Sequence, residues 1–287
     1  MSKLTGKTCI FALVFAAIIV LFAPGWVGAQ TDGQVHSSKG QAVPIPNGLR
    51  LDGGGLPLPE KIAEAFLRMP YRVDGAIDDN GEYTLFADRS QRFSEPGINC
   101  SGFVLALSRF LLARNITLDE ASLDRHGDSG PSSPHGHDWD FGWDLIMNIS
   151  DGFPRRILLP GGRTLDPAKA DAFSPRGYDM HAEQTKNELP ARFMQGRLYL
   201  VSINVEERNR GYGLQHYHVG VVHVASGGQA WFYQTTNNGG GVNRRDLKTA
   251  NGWDSMARAF ANTGAHRKMM LVLEVDLPAV NHGRDQR

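Results

Sequence analysis

Apolar positions recur at helical spacing in two early stretches. Ile62, Ala65, Phe66 and Met69 share one face of a segment opened by Pro59-Glu60-Lys61, a proline and an acid suited to a first helical turn, and Pro70 stops it. Phe103, Ala106, Leu107, Phe110 and Leu111 repeat at i, i+3, i+4, i+7 and i+8. That spacing predicts a second helix, from Cys100 to about Arg114, with Asn99 as its N-cap. A short strand is expected at Tyr83 to Ala87. Past residue 196 the chain turns strand-like. Arg197 to Asn204, His216 to Val224 and Ala230 to Thr236 read as strands, the last two joined by the turn Ser226-Gly227-Gly228-Gln229. Asn237 to Gly241 reads as a flexible loop, Trp253 to Ala261 as a helix, and Lys268 to Leu277 as a last apolar strand. The pattern is α+β: a cysteine-bearing helix packed on an antiparallel β-sheet.

Between the cysteine helix and the strands, residues 115–195 are rich in proline and glycine around Gly127 to Pro134 and Pro160 to Gly162. A short helix at Phe141 to Asn148 and an apolar patch at Ile157 to Leu159 interrupt them. They read as a long insertion of loops and small elements over the core, a lid or groove wall.

The first 29 residues differ from the rest. Lys3 and Lys7 precede an apolar run from Ile10 to Phe22, followed by Pro24 and Val27-Gly28-Ala29. That is the order of a secretory signal peptide. Residues 30–58 read as a flexible lead-in, 59–280 as one domain that includes the insertion, and 281–287 as a tail. The chain has 287 residues, 41% hydrophobic and 21% charged, with a net charge of 0. No basic patch argues for nucleic acid, and once the signal is removed no segment is suited to span a bilayer. An exported protein, periplasmic or extracellular, is the expectation.

Of the two cysteines, Cys9 lies in the signal peptide, so Cys100 stands alone in the mature chain. An exported protein with one cysteine has no internal disulfide, and its thiol is a candidate for chemistry. In the first turn of a helix the unpaired N–H groups and the dipole favour an anion, which pushes a thiol toward thiolate. A thiolate nucleophile needs a base, and the base an orienting partner. His216, His218 and His223 lie on one strand. Alternation puts His216 and His218 on one face with Gly220, and Tyr217, Val219 and His223 on the other. Gly220 would admit a close neighbour beside His218. On the returning strand Gln234, placed opposite His218, could hold the far ring nitrogen and fix its tautomer.

These residues fall in three blocks: Ala65-Phe66-Leu67-Arg68-Met69-Pro70-Tyr71-Arg72 with Gly75, then Asn99-Cys100-Ser101-Gly102-Phe103-Val104, then His218-Val219-Gly220-Val221. In this order they resemble the NlpC-type cysteine peptidases, papain-like enzymes of the cell wall. Asn99 stands where that family usually has aspartate, and Gln234 where many members have histidine. The resemblance implies a papain-like core and hydrolysis of an amide in peptidoglycan stem peptides. Cys100 would be the nucleophile, His218 the base and Gln234 the orienter. Tyr71, Asn99 and Ser101 would lie at the substrate and oxyanion side. A muropeptide is the expected partner, and no cofactor is expected. Acyl transfer on the same fold, or a non-catalytic wall-binding module, are the alternatives.

A second cluster, His135-Gly136-His137-Asp138-Trp139-Asp140 with His126 and Asp128 upstream, has the residue types of a metal site but the spacing of no standard zinc pattern. It reads as a solvated loop.

Overall fold

Thirteen residues of alternating, largely buried sequence, Tyr212–Val224, form the strand on which the fold is assembled. The computed structural model describes residues 43–46, 48–49, 58–130, 132–207, 212–264 and 266–278. The expected signal peptide, nearly all of the lead-in and the tail lie outside the described residues. In chain order the elements are α1 (Leu58–Ala65), β1 (Gly75–Ile77), β2 (Tyr83–Leu85), α2 (Cys100–Leu111), α3 (Leu118–Ala121), α4 (Phe141–Ile149), β3 (Arg155–Leu158), β4 (Thr164–Leu165), β5 (Tyr178–Asp179), α5 (Glu183–Glu188), β6 (Arg197–Glu207), β7 (Tyr212–Val224), β8 (Ala230–Thr236), β9 (Gly241–Asp246), α6 (Ala250–Ala259) and β10 (Lys268–Asp276). The fold is α+β. Its main sheet runs β4-β3-β10-β6-β7-β8-β9, antiparallel throughout, with β5 beside β10, and β1 and β2 form a separate hairpin.

Each face of the sheet buries its own cluster. One holds Val219, Val221, Tyr233, Leu271 and Leu273 against Phe66 of the turn after α1, Phe103 and Leu107 of α2, and Trp143 and Ile146 of α4. The other holds Ile203, Val222, Phe232 and Val272 against Trp253 and Met256 of α6, and Phe260 just after it. The helix α2 is apolar nearly all round, which fits its burial between sheet, α1 and α4. Its first turn sits tight on β1. A Cβ on Gly102 would lie 2.2 Å from the Gly75 carbonyl oxygen, a contact only glycine permits. The same carbonyl accepts from the Asn99 N–H at 2.9 Å.

Several expectations are corrected. The first helix ends at Ala65, not Met69, because Arg68 takes a left-handed conformation (φ 69°). The Arg68 N–H then donates to Val242 O, and Met69 O accepts from Val242 N. Ladder bonds to β9 replace two helical ones. The cysteine helix stops at Leu111, and Ala113 turns left-handed (φ 49°). The expected loop after β8 is a tight connection: Gly239 N donates to Thr236 O and Gly240 N to Asn237 O, and β9 returns from Gly241. The segment 115–195 is more than a cover. It contributes β3 and β5, which pair with β10, and the almost wholly buried α4, which packs on α2, β6 and β7.

Candidate active site

Cys100 is the first residue of α2 and is half-buried. Asn99 is the N-cap: its side-chain oxygen accepts from Gly102 N at 2.8 Å, and its carbonyl from Phe103 N. The Asn99 side-chain oxygen is therefore committed to the helix end. Just before it, Ile98 bridges to Tyr71, with Ile98 N donating to Pro70 O and Arg72 N to Ile98 O. This short parallel contact carries Tyr71 to the thiol. Burial and the charge of Cys100 both raise the Tyr71 hydroxyl's pKa.

The ladder between β7 and β8 runs from Val224–Ala230 to Val221–Tyr233. Beyond that pair, the Val219 N–H is close enough to the Cys100 sulfur to help lower the thiol's pKa. The helix terminus thus meets β7 where the β7–β8 ladder has ended. His218 is beside it, close enough for its ring to hydrogen-bond the thiol. Burial pushes the thiol up, but the His218 charge and hydrogen bond, the Val219 N–H and the Ser101 hydroxyl outweigh it and bring Cys100 down to about 7. Ser101 Oγ is 4.0 Å from the sulfur.

The far nitrogen of His218, Nε2, donates to Gln234 Oε1 at 2.8 Å. With Nε2 carrying that proton, Nδ1 is the nitrogen left to act on the thiol. Gln234 is fully buried. The expectation that it lies directly opposite His218 is corrected. Continuing the register from Val221–Tyr233 sets Gly220 across from Gln234, so the bond is diagonal. The glycine also serves a purpose other than the one expected. A Cβ on Gly220 would lie 2.4 Å from the Phe232 ring, so the close neighbour is a β8 side chain.

The expected sharing of one face by His216 and His218 does not hold. Pairing runs Ile203 with His218, then Asn204 with His216, leaving Tyr217 as the extra residue of a bulge. His216 therefore faces α4. Its Nδ1 accepts from Ser202 Oγ at 2.9 Å and its Nε2 donates to Ala172 O at 2.8 Å. Burial pushes its pKa down to about 4, so it is neutral. His218 faces the other way, its ring 4.9 Å from that of Phe260. His223 is buried, and burial lowers its pKa as well.

The structure thus brings Cys100, His218, Gln234, Ser101 and Tyr71 together, and uses Asn99 as the cap beneath them. Phe260 and the Val219 N–H belong to the same site and were not anticipated. Phe260 lies 42 positions beyond His218 at a helix end, with no local signal, and an N–H is invisible in side-chain patterns. The histidines of the second cluster stay apart from this centre. His135 packs on Trp139 and Phe173, and exposed His137 bonds to Asp138. No protein-family model, curated protein or solved structure matches the chain.

Proposed function

We propose that this protein is an exported cysteine hydrolase with a papain-like core, cleaving an amide bond in peptidoglycan stem peptides through a thioester. The observation that carries the reading is the thiol of Cys100 at about 7, at a helix N-terminus, against an imidazole whose other nitrogen is held by Gln234. At neutral pH a substantial fraction of such a thiol is thiolate, the attacking form.

The thiolate attacks the amide carbonyl, and the carbonyl oxygen becomes an oxyanion. In this reading the Cys100 N–H and the Tyr71 hydroxyl donate to it, and one such donor is worth roughly 3–4 kcal/mol of barrier. His218, which took the Cys100 proton when the thiolate formed, passes that proton to the leaving nitrogen as the C–N bond breaks. Water then gives a proton to His218 and attacks the thioester, releasing the acid and restoring the thiol. The choice of stem peptides rests on the resemblance of the three sequence blocks, and export on the first 29 residues.

Defined muropeptides incubated with the purified protein and read by mass spectrometry test this directly. The expected result is one cleaved amide with uptake of one water. Cys100→Ala should lower turnover by at least about 1,000-fold with its melting temperature nearly unchanged. Undiminished turnover in that variant removes the reading. A product joined to an added amine would identify acyl transfer instead.

A further inference from the structure

The acidic residues around the second cluster gather without its histidines. Asp124, Asp128 and Asp140 each bring one carboxylate oxygen within 4.8 Å of the others. Asp140, the residue before α4, is fully buried. One of its oxygens accepts from the Ser129 hydroxyl, and the other has no hydrogen-bond donor. Asp144, one turn further along α4, is 3% exposed; one oxygen accepts from Arg125 N at 3.2 Å and the other is also unmatched. Asp140 and Asp124 are among the charges acting on it. Arg125, whose charge acts on Asp144, engages Asn148 Oδ1 with its guanidinium at 3.0 Å. Buried carboxylate oxygens without donors, facing further carboxylates, are costly unless a positive group lies among them.

We propose that Asp124, Asp128 and Asp140 bind a calcium ion, with Asp144 supplying further negative charge behind it. An all-oxygen set selects a hard cation over zinc. Calcium accepts six to eight oxygens in flexible geometry, whereas magnesium demands a near-ideal octahedron and keeps several waters, so a cluster of carboxylates on one loop suits calcium. The three carboxylates span both ends of the loop between α3 and α4. An ion there ties residues 124–129 to the start of α4. The adjoining Trp139 carbonyl accepts from His216 N on β7, so the ion fastens this loop to the strand that carries His218. The inference does not depend on the proposed reaction.

Terbium is the probe, because the Trp139 indole donates to the Asp128 carbonyl at 3.3 Å and so sits beside the site. Excitation of tryptophan should give terbium emission that calcium displaces. Millimolar calcium should raise the melting temperature by at least about 3 °C over chelator. Asp128 is exposed, so Asp128→Asn should fold; it should weaken binding at least tenfold and abolish the calcium-dependent shift. A melting temperature that follows pH but ignores calcium would mean that the carboxylates share a proton, and would overturn the proposal. So would a calcium response that survives both Asp128→Asn and Asp124→Asn.

Discussion

His216 and His218 sit two residues apart on one strand and live in different chemistry. His216 faces α4, with both ring nitrogens satisfied and its pKa pushed by burial to about 4. His218 faces the opposite side, with one nitrogen held by Gln234 and the other left for the Cys100 thiol. A single extra residue, Tyr217, separates the two fates. The identity of a side chain therefore predicts little here. What decides is which face it reaches, and how many of its polar atoms are already engaged.

The strongest way to break the comparison is to exchange the losses. His218→Ala should cost at least about 100-fold in turnover, the lower range for a general acid–base group, with little change in the denaturation midpoint. His216→Ala should do the reverse. It leaves the Ser202 hydroxyl and Ala172 carbonyl without their partner, at about 1–3 kcal/mol for a buried polar group, while kcat stays within a few-fold. Urea denaturation and steady-state kinetics on both variants decide the matter. A His216→Ala protein that is stable but inactive would erase the distinction.

How far could the sequence have taken this comparison? The helix start at Cys100, the cap at Asn99, the strand Ala230–Thr236 and the pairing of His218 with Gln234 were all legible, because each rests on local spacing or on one hairpin. The bulge was not, since period-two alternation carries no mark of an inserted residue. Nor was β9 legible. Its Asn243-Arg244-Arg245-Asp246 run looks like a loop, and it becomes a strand because it closes the sheet edge, where charge suits an edge. The end of α1 was set by Val242, more than 170 residues away. The burial of α4 turned the segment 115–195 from an expected cover into core.

A gentler way to sharpen the contrast is pH. The folded value for His216 is about 4, below the usual 6.5 or so of an unfolded chain. Its contribution to stability is therefore complete above about 6.5 and is lost as pH falls toward 4, roughly 3 kcal/mol in all. In the calcium-free protein Asp140 and Asp144, whose pKa values burial raises, act in the opposite direction. The informative quantity is thus wild type minus His216→Gln, measured by urea midpoint from pH 7.5 to pH 4. That difference should shrink on acidification. The thiol gives the companion curve. Alkylation of Cys100 should rise as pH climbs through about 7, and His218→Ala should move that rise to higher pH by removing the charge and the hydrogen bond that hold the thiol down.

The smallest expected effect belongs to Gln234, and it tests whether one satisfied nitrogen matters as much as two. Gln234→Ala removes the acceptor of the His218 Nε2 proton at a fully buried position. The loss should be about tenfold in kcat, the worth of one hydrogen bond, with KM unchanged. Packing alone would predict lower stability and an unaltered pH profile. A positioning role predicts a shifted profile for thiol alkylation, because the ring can then turn and exchange its protonated nitrogen. Gln234→Glu restores an acceptor for the Nε2 proton and should recover most of the rate. If Gln234→Ala lowers only the melting temperature, His218 is oriented by its tilted ring contact with Phe260. The difference between the two histidines would then lie in their surroundings of rings and not in their hydrogen bonds.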